Sequence, residues 1–317
     1  MKIICLHPWG ASAEIFERQL SLLCALIGES HEYVFLDGPV SCGPANGIPP
    51  DMPGPFYNWY DGLSSPQVRE AHDLVMDVIE AEGPFDGVIG FSQGASLALS
   101  ILDHHEIIHP HRPPPFRFAV LFCAVLSISP DPMFNKDLIG KYARYYKQAK
   151  QDKGESDEKE DDDPPTTGES FELGLFHPQD ESATHKKASR LKNHHHHHHH
   201  HRAMLLLPGQ KAALVRELVT LVRQLAEHGG DHNHAARTQW NTRGGGGGGR
   251  RISIPTVHII GRSDPLRRHG ELQARLCSKS LTRVVEFEGA HKVPHKGNDL
   301  QAVLRAVEWA MRMAQMR

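Results

Sequence analysis

The stretch FDGVIGFSQGASLALSIL, residues 85–102, decides the fold. Its first part, FDGVI, is a short apolar run of strand type. Its last part, ASLALSIL, is an apolar run rich in helix formers. Between them Gly90, Ser92 and Gly94 make a G-x-S-x-G pattern. Alone, such a match carries little. On a strand–turn–helix it has a mechanism: the turn holds the serine in a strained backbone conformation that lifts its hydroxyl over the sheet edge. The residues two before and two after are crowded by strand and helix, so only small ones fit. The helix that follows aims its first N–H groups at the same place. A glycine turn with a capping serine is the competing reading.

Similar runs recur on both sides. Lys2–Leu6, Tyr33–Asp37, Phe85–Gly90, Phe118–Ala124, Thr256–Ile260 and Val284–Phe287 are short and apolar on both faces, as in strands covered by helices on each side. Between them lie amphipathic stretches. Ser12 can cap a helix carrying Ile15, Leu20, Leu22 and Leu23. QVREAHDLVMDVIEAEG places Val68, Ala71, Val75 and Ile79 on one stripe and ends at Gly83-Pro84. A last helix from Asp299 to about Met313 carries Leu300, Val303, Val307, Ala310 and Met311. Alternation of strand and helix predicts an α/β doubly wound domain with a mainly parallel sheet of about six strands, spanning 1–317 as a single domain.

Residues 148–251 interrupt the pattern as a long low-complexity insertion, expected to be largely disordered. They hold the acidic run DEKEDDDPP (157–165), eight histidines (194–201) and six glycines (244–249). Loop-closure entropy rises slowly with length, so a loop tolerates such tracts. The histidine tract lacks the fixed spacing and outer shell of a metal site, and no metal is expected. One amphipathic stretch, about 208–228, carries Leu214, Val215, Leu218, Leu221, Val222 and Leu225. It reads as a helix packed on the sheet, as a lid or as a partner-binding helix. DLIGKYARYYK (137–147) competes for the crossover role.

A chain of 317 residues can bury a large core, and 35 basic against 38 acidic side chains leave no basic surface for nucleic acid. No apolar run is long enough to span a membrane. The opening MKIICLHPWG reads as a buried strand rather than a secretory leader. The five cysteines are scattered and mostly set among apolar residues, which predicts reduced thiols in the cytosol. Cys123, in VLFCAV, reads as core filling within a strand.

A serine hydroxyl needs a base, and the base needs a partner to fix its tautomer. In this fold class the chain order is serine, acid, histidine. TVHIIGRSD places Asp264 just past a strand, and RVVEFEGAHKVP places His291 on the loop after the last strand. His295 is the rival base and Asp131 the rival acid. An oxyanion needs two N–H donors. One is the backbone N–H of Gln93, after the serine. The other comes from LHPWGAS: Pro8 has no N–H, which leaves Trp9 with Gly10 behind it. His7 reads as a structural hydrogen-bonding residue. PGPFYNWYD sets Phe56, Tyr57 and Trp59 on a loop, where they wall an acyl pocket or pack the loop onto the domain.

ICLHPWGASAEIFERQL, YVFLDGP, PGPFYNWYD, FDGVIGFSQGASLAL, FAVLFCAV, IPTVHIIGRSDPL and GAHKVP, in this order, resemble the fungal serine hydrolase family of the α/β-hydrolase superfamily. The stretches cover nearly all of residues 1–126 and 252–317. The resemblance implies esterase or thioesterase chemistry without a cofactor. It implies, in the branch associated with polyketide gene clusters, release of an acyl chain from the carrier domain of a synthase. The family usually has His-Gly where this chain has His7-Pro8, and its insertion is usually shorter. A short-chain carboxylesterase, an acyl-protein thioesterase and a non-catalytic binding protein on the same fold are the alternatives.

Overall fold

Residues 1–142 and 251–317 are described by the computed structural model, apart from Asn46, Leu63, Lys136 and Ile139. The elements run β1 (Lys2–Leu6), α1 (Ala13–Ile27), β2 (Glu32–Leu36), β3 (Val40–Cys42), β4 (Phe56–Asn58), α2 (Ser65–Glu82), β5 (Gly87–Phe91), α3 (Gln93–Ile108) and β6 (Phe118–Phe122). Then follow β7 (Thr256–Gly261), α4 (Arg267–Ala274), β8 (Thr282–Phe287) and α5 (Gly297–Gln315). Six strands form one sheet in the order β2-β1-β5-β6-β7-β8, every neighbouring pair parallel. The fold is α/β, doubly wound.

Two apolar layers follow from the strand pleat. On β1, Ile3 and Cys5 face α1 and α5 and meet Phe16, Leu20, Val303 and Val307. Ile4 and Leu6 face the other way, toward Val68 and Val75 of α2, Leu97 and Ile101 of α3, and Leu272 of α4. Each such side chain, fully enclosed, contributes about 1.5–3 kcal/mol. Ser12 caps α1 by accepting from the Ile15 N–H at 3.2 Å.

Three sequence expectations need correction. Leu22 is 46% exposed; the buried stripe of α1 runs through Ile15, Phe16, Leu20 and Leu23 instead. β8 is an edge strand, and Val284 and Glu286 face solvent rather than a covering helix, while the exposed Arg283 lies over the Trp309 ring of α5 at 4.3 Å. Cys123 lies beyond β6, not within it, with φ 44° in the left-handed region. The structure also adds a pair the sequence did not suggest: β3 and β4, of three residues each, pair antiparallel.

The stretch 137–147 is described as far as Tyr142. Residues 132–135, 137–138 and 140–142 are helical, and Leu138 and Tyr142 pack into the layer that holds α3. Lys141 pairs with the buried Asp103 of α3 at 3.6 Å, and the Tyr142 hydroxyl meets Ser127 at 2.7 Å. On the returning side, the Ser253 hydroxyl donates to Glu106 of α3 at 2.7 Å. The two roots of the insertion are thus fastened near the end of α3 remote from Ser92. The proposed helix at about 208–228, and with it the lid reading, lies outside the described residues.

Candidate active site

Strand order reverses between β1 and β5, since β2 lies to one side of β1 and the later strands to the other. In open α/β sheets the crevice at the carboxyl ends of such a pair is where ligands bind. The loop after β1 carries Trp9, and the turn after β5 carries Ser92. Chain order alone therefore brings these two segments together.

Ser92 sits between β5 and α3 with φ 52° and ψ −115°. That conformation is costly for a non-glycine residue and persists only where its surroundings over-determine it. Here its N–H donates to the Phe122 carbonyl at 2.8 Å, and its carbonyl accepts from Ser96. The flanking glycines are required by contact. A methyl on Gly94 would run into the carbonyl oxygens of Leu6 and His7, and one on Gly90 would meet the backbone of Gly94 and Ala95. Gly94→Ala is therefore expected to push α3 off β1. It should cost about 1–3 kcal/mol of stability and on the order of 100-fold in kcat. Thermal unfolding and steady-state rates check this; an unchanged midpoint and rate would show that α3 tolerates the extra carbon.

The serine hydroxyl donates to His291 Nε2 at 2.8 Å, and His291 Nδ1–H donates to Asp264 Oδ2 at 2.8 Å. All three residues are buried, Ser92 at 8% exposure, Asp264 at 5% and His291 at 3%. Asp264 Oδ1 accepts from the Leu266 N–H at 2.8 Å, so the carboxylate is held on both oxygens. Burial pushes the Asp264 carboxyl up, but the charge and hydrogen bond of His291, with the Leu266 N–H and Cys123, bring it below its ordinary value. The carboxylate is thus ionised and fixes the proton on Nδ1, leaving Nε2 free to accept.

The acid and histidine loops are joined before their side chains meet. Ser263 N–H donates to the Gly289 carbonyl at 3.0 Å and Arg262 N–H to the Phe287 carbonyl at 3.0 Å. Gly261 allows this approach, since a methyl there would strike the carbonyls of Gly289 and Ala290. Phe91 lies against the His291 ring at 5.4 Å between centroids. The rivals are elsewhere engaged: Asp131 accepts from the Met133 N–H at 2.9 Å, and it is His291, not His295, that reaches Ser92.

Two further residues adjoin this group. The Cys123 thiol lies 3.6 Å from the Lys292 carbonyl, and its sulfur, a carboxylate oxygen of Asp264 and a His291 nitrogen converge within 4.8 Å. Both imidazole nitrogens are already committed, so an ion held there would break the contacts to Ser92 and Asp264. Burial pushes the Cys123 thiol up, which keeps it a neutral donor. His269 is buried beside the pair, lowered to about 4 mainly by burial. Neither position carries a motif that would have marked it.

Gln93 is the first residue of α3, so its N–H has no partner within the helix. Gly10 N–H is occupied, donating to Asn58 Oδ1 at 2.8 Å and to the Tyr57 carbonyl at 3.0 Å. That removes Gly10 and leaves Trp9. His7 accepts from the Gly38 N–H at Nε2, at 2.9 Å, so its proton is on Nδ1 and donates to the Pro8 carbonyl at 2.7 Å. Across a trans peptide the N–H points opposite the carbonyl, so this bond turns the Trp9 N–H away from His7. His7 is structural, and burial lowers it to about 4.

The aromatic loop divides. Phe56 and Tyr57 are half-buried, but Trp59 has no exposed surface. Its indole N–H donates to the His7 carbonyl at 2.9 Å and its ring stacks on His7 at 5.0 Å. Trp59 is therefore a core residue and not a wall of an acyl pocket. Its size and hydrogen-bonding N–H let one side chain fill and satisfy a buried corner.

Known proteins resemble this chain in sequence. The chain matches the family described as serine hydrolase (FSH1) over residues 1–155 and 248–303. It is 31% identical to esterase alnB of Emericella nidulans over 316 residues, 99% of this chain and 98% of that protein. It is 40% identical to esterase FPY3 of Fusarium mangiferae over 129 residues, 40% of this chain and 58% of that protein. It is 36% identical to hydrolase FUB4 of Fusarium oxysporum f. sp. lycopersici over 134 residues, 41% of this chain and 49% of that protein. These matches identify the enzyme class, and the chain belongs to the serine hydrolase (FSH1) family.

Proposed function

We propose that Ser92, His291 and Asp264 are the catalytic residues of this esterase and that its substrate is an acyl thioester on a carrier domain of a polyketide synthase. The observation that carries the reading is the buried hydrogen-bonded chain from Ser92 Oγ through His291 to Asp264, with both links at 2.8 Å. Ser92 Oγ attacks the carbonyl carbon while His291 Nε2 takes its proton. The carbonyl oxygen becomes an oxyanion and accepts from the N–H groups of Gln93 and Trp9. Collapse breaks the carbon–sulfur bond, and the proton on Nε2 goes to the leaving thiol. Water then attacks the acyl-serine with His291 again as base, which frees the acid and restores the Ser92 hydroxyl. This cycle needs no metal or organic cofactor.

The thioester and the carrier rest on the sequence resemblance to the cluster-associated branch. A cytosolic setting is supported by five cysteines of which none is in a disulfide, and no helix among the described residues is long and apolar enough to cross a membrane. The test offers matched acyl chains as oxyester, small thioester and carrier-protein thioester. A higher kcat/KM on the carrier thioester, abolished by Ser92→Ala, is expected. Equal or faster turnover of small oxyesters would make this a general esterase. No turnover, with no labelling by a fluorophosphonate, would favour a binding protein.

A further inference from the structure

The reaction needs two peptide N–H groups aimed at one oxygen, yet they come from loops far apart in sequence. We propose that the side-chain amides of Gln93 and Asn58, acting through segment 57–60, are positioning groups that align the Gln93 and Trp9 N–H donors. The proposal rests on the reading of Ser92 as the nucleophile.

Gln93 uses its two ends differently. Its side chain turns back onto segment 57–60. There Oε1 accepts from the Trp59 N–H at 2.8 Å and Nε2 donates to the Tyr60 carbonyl at 2.8 Å. Gln93 is 3% exposed, so these bonds lie out of water and missing either would strand a buried polar group. Among uncharged side chains, a carboxamide accepts and donates from one rigid plane. A glutamine at the variable position after the serine thus locks the first turn of α3, and its own N–H, to residues 59–60.

The same segment holds the other donor. Tyr57 N–H donates to the Ala11 carbonyl at 2.7 Å, and Gly10 N–H is shared between the Tyr57 carbonyl and Asn58 Oδ1. Asn58 has no exposed surface, and its Nδ2 donates to Asp61 at 3.2 Å. The Trp59 indole adds the bond to the His7 carbonyl, one residue before Pro8. Four consecutive residues therefore reach the β1 loop through Tyr57, Asn58 and the Trp59 ring, and Gln93 through Trp59 and Tyr60. The distance between the two donor N–H groups is set through this segment.

Gln93→Met keeps the chain length and the backbone N–H but removes both amide bonds. Asn58→Ala releases one partner of Gly10 N–H. Each is expected to lower kcat about 10- to 100-fold with KM within about twofold, since a misaimed donor acts on the transition state. Each should also weaken a trifluoromethyl ketone, which forms an oxyanion on Ser92, by the same factor as kcat/KM. A purely structural loss would lower the folded fraction, counted by fluorophosphonate titration, without that parallel. Rates per titrated site within twofold of wild type for either variant, or a fall in kcat with inhibitor affinity unchanged, would overturn the proposal. Should Gln93→Met yield no titratable protein, Asn58→Ala decides alone. An active Ser92→Ala enzyme would instead sink the underlying assignment, whereas a dead one beside a normal Gln93→Met sinks only the alignment.

Discussion

Ser92→Ala is expected to lower kcat by on the order of 10⁴-fold or more while leaving the fold intact. Only the hydroxyl is removed, and its recorded bond is to His291 Nε2. The strained φ of 52° is no harder for alanine than for serine, and the N–H bond to the Phe122 carbonyl does not depend on the side chain. The thermal midpoint should therefore move by only a few degrees. His291→Ala should cost about as much, and the double variant scarcely more than either, because the two act on one proton transfer. Losses that multiply would show that the two residues act separately. Near-normal turnover by Ser92→Ala under single-turnover conditions would place the nucleophile elsewhere.

The second large effect is on stability in acid. Among the described residues four histidines are buried and lowered by burial: His7 and His269 to about 4, His72 and His258 to about 3. Unfolded, each takes a proton near 6.5. Between those values the unfolded chain binds more protons than the folded one, so stability falls as pH falls from about 6.5 toward 3–4. Each group contributes on the order of a few kcal/mol, and together they rival the whole stability of a domain. Unfolding is thus expected before the folded histidines themselves titrate. Asp264 adds a loss of the same sign, but only below the ordinary carboxylate range. His258 is the sharpest case, since both ring nitrogens are buried with no partner among the described residues. His258→Leu should be neutral or stabilising at pH 7 and should flatten the decline between pH 6 and 4. Thermal midpoints measured across that range decide it; parallel curves for the two proteins would show that His258 is not the source.

What was legible in the sequence follows from how local each signal is. The elbow and the six sheet strands are short-range patterns, and Asp264 and His291 were found because each stands directly after a strand. The bonding of segment 57–60 was not legible. Trp59 sits beside Tyr57 and Tyr60 in a loop-like string, and only its bonds to His7 and Gln93, 52 and 34 residues away, make it core. Gly10 fell as a donor for the same reason, because its N–H goes to Tyr57 and Asn58. Cys123 reads as one more strand residue, since nothing in VLFCAV announces that the backbone turns left-handed after Phe122. Val284 was misplaced because an edge strand and a central one share the same β-branched residues.

The fastening of the insertion bears on how the enzyme could be handled. Asp103 and Glu106 follow Ser92 by 11 and 14 positions along α3, roughly 16 and 21 Å of helix. A load applied between Tyr142 and Arg251 therefore enters the domain at the foot of α3, through Lys141–Asp103 and Ser253–Glu106. An enzyme tethered to a bead through that stretch would be gripped at the base of the sheet, with the nucleophile's rim pointing outward. The same stretch offers a splice point for a reporter or a carrier domain fused in the middle of the chain, with both chain ends left free.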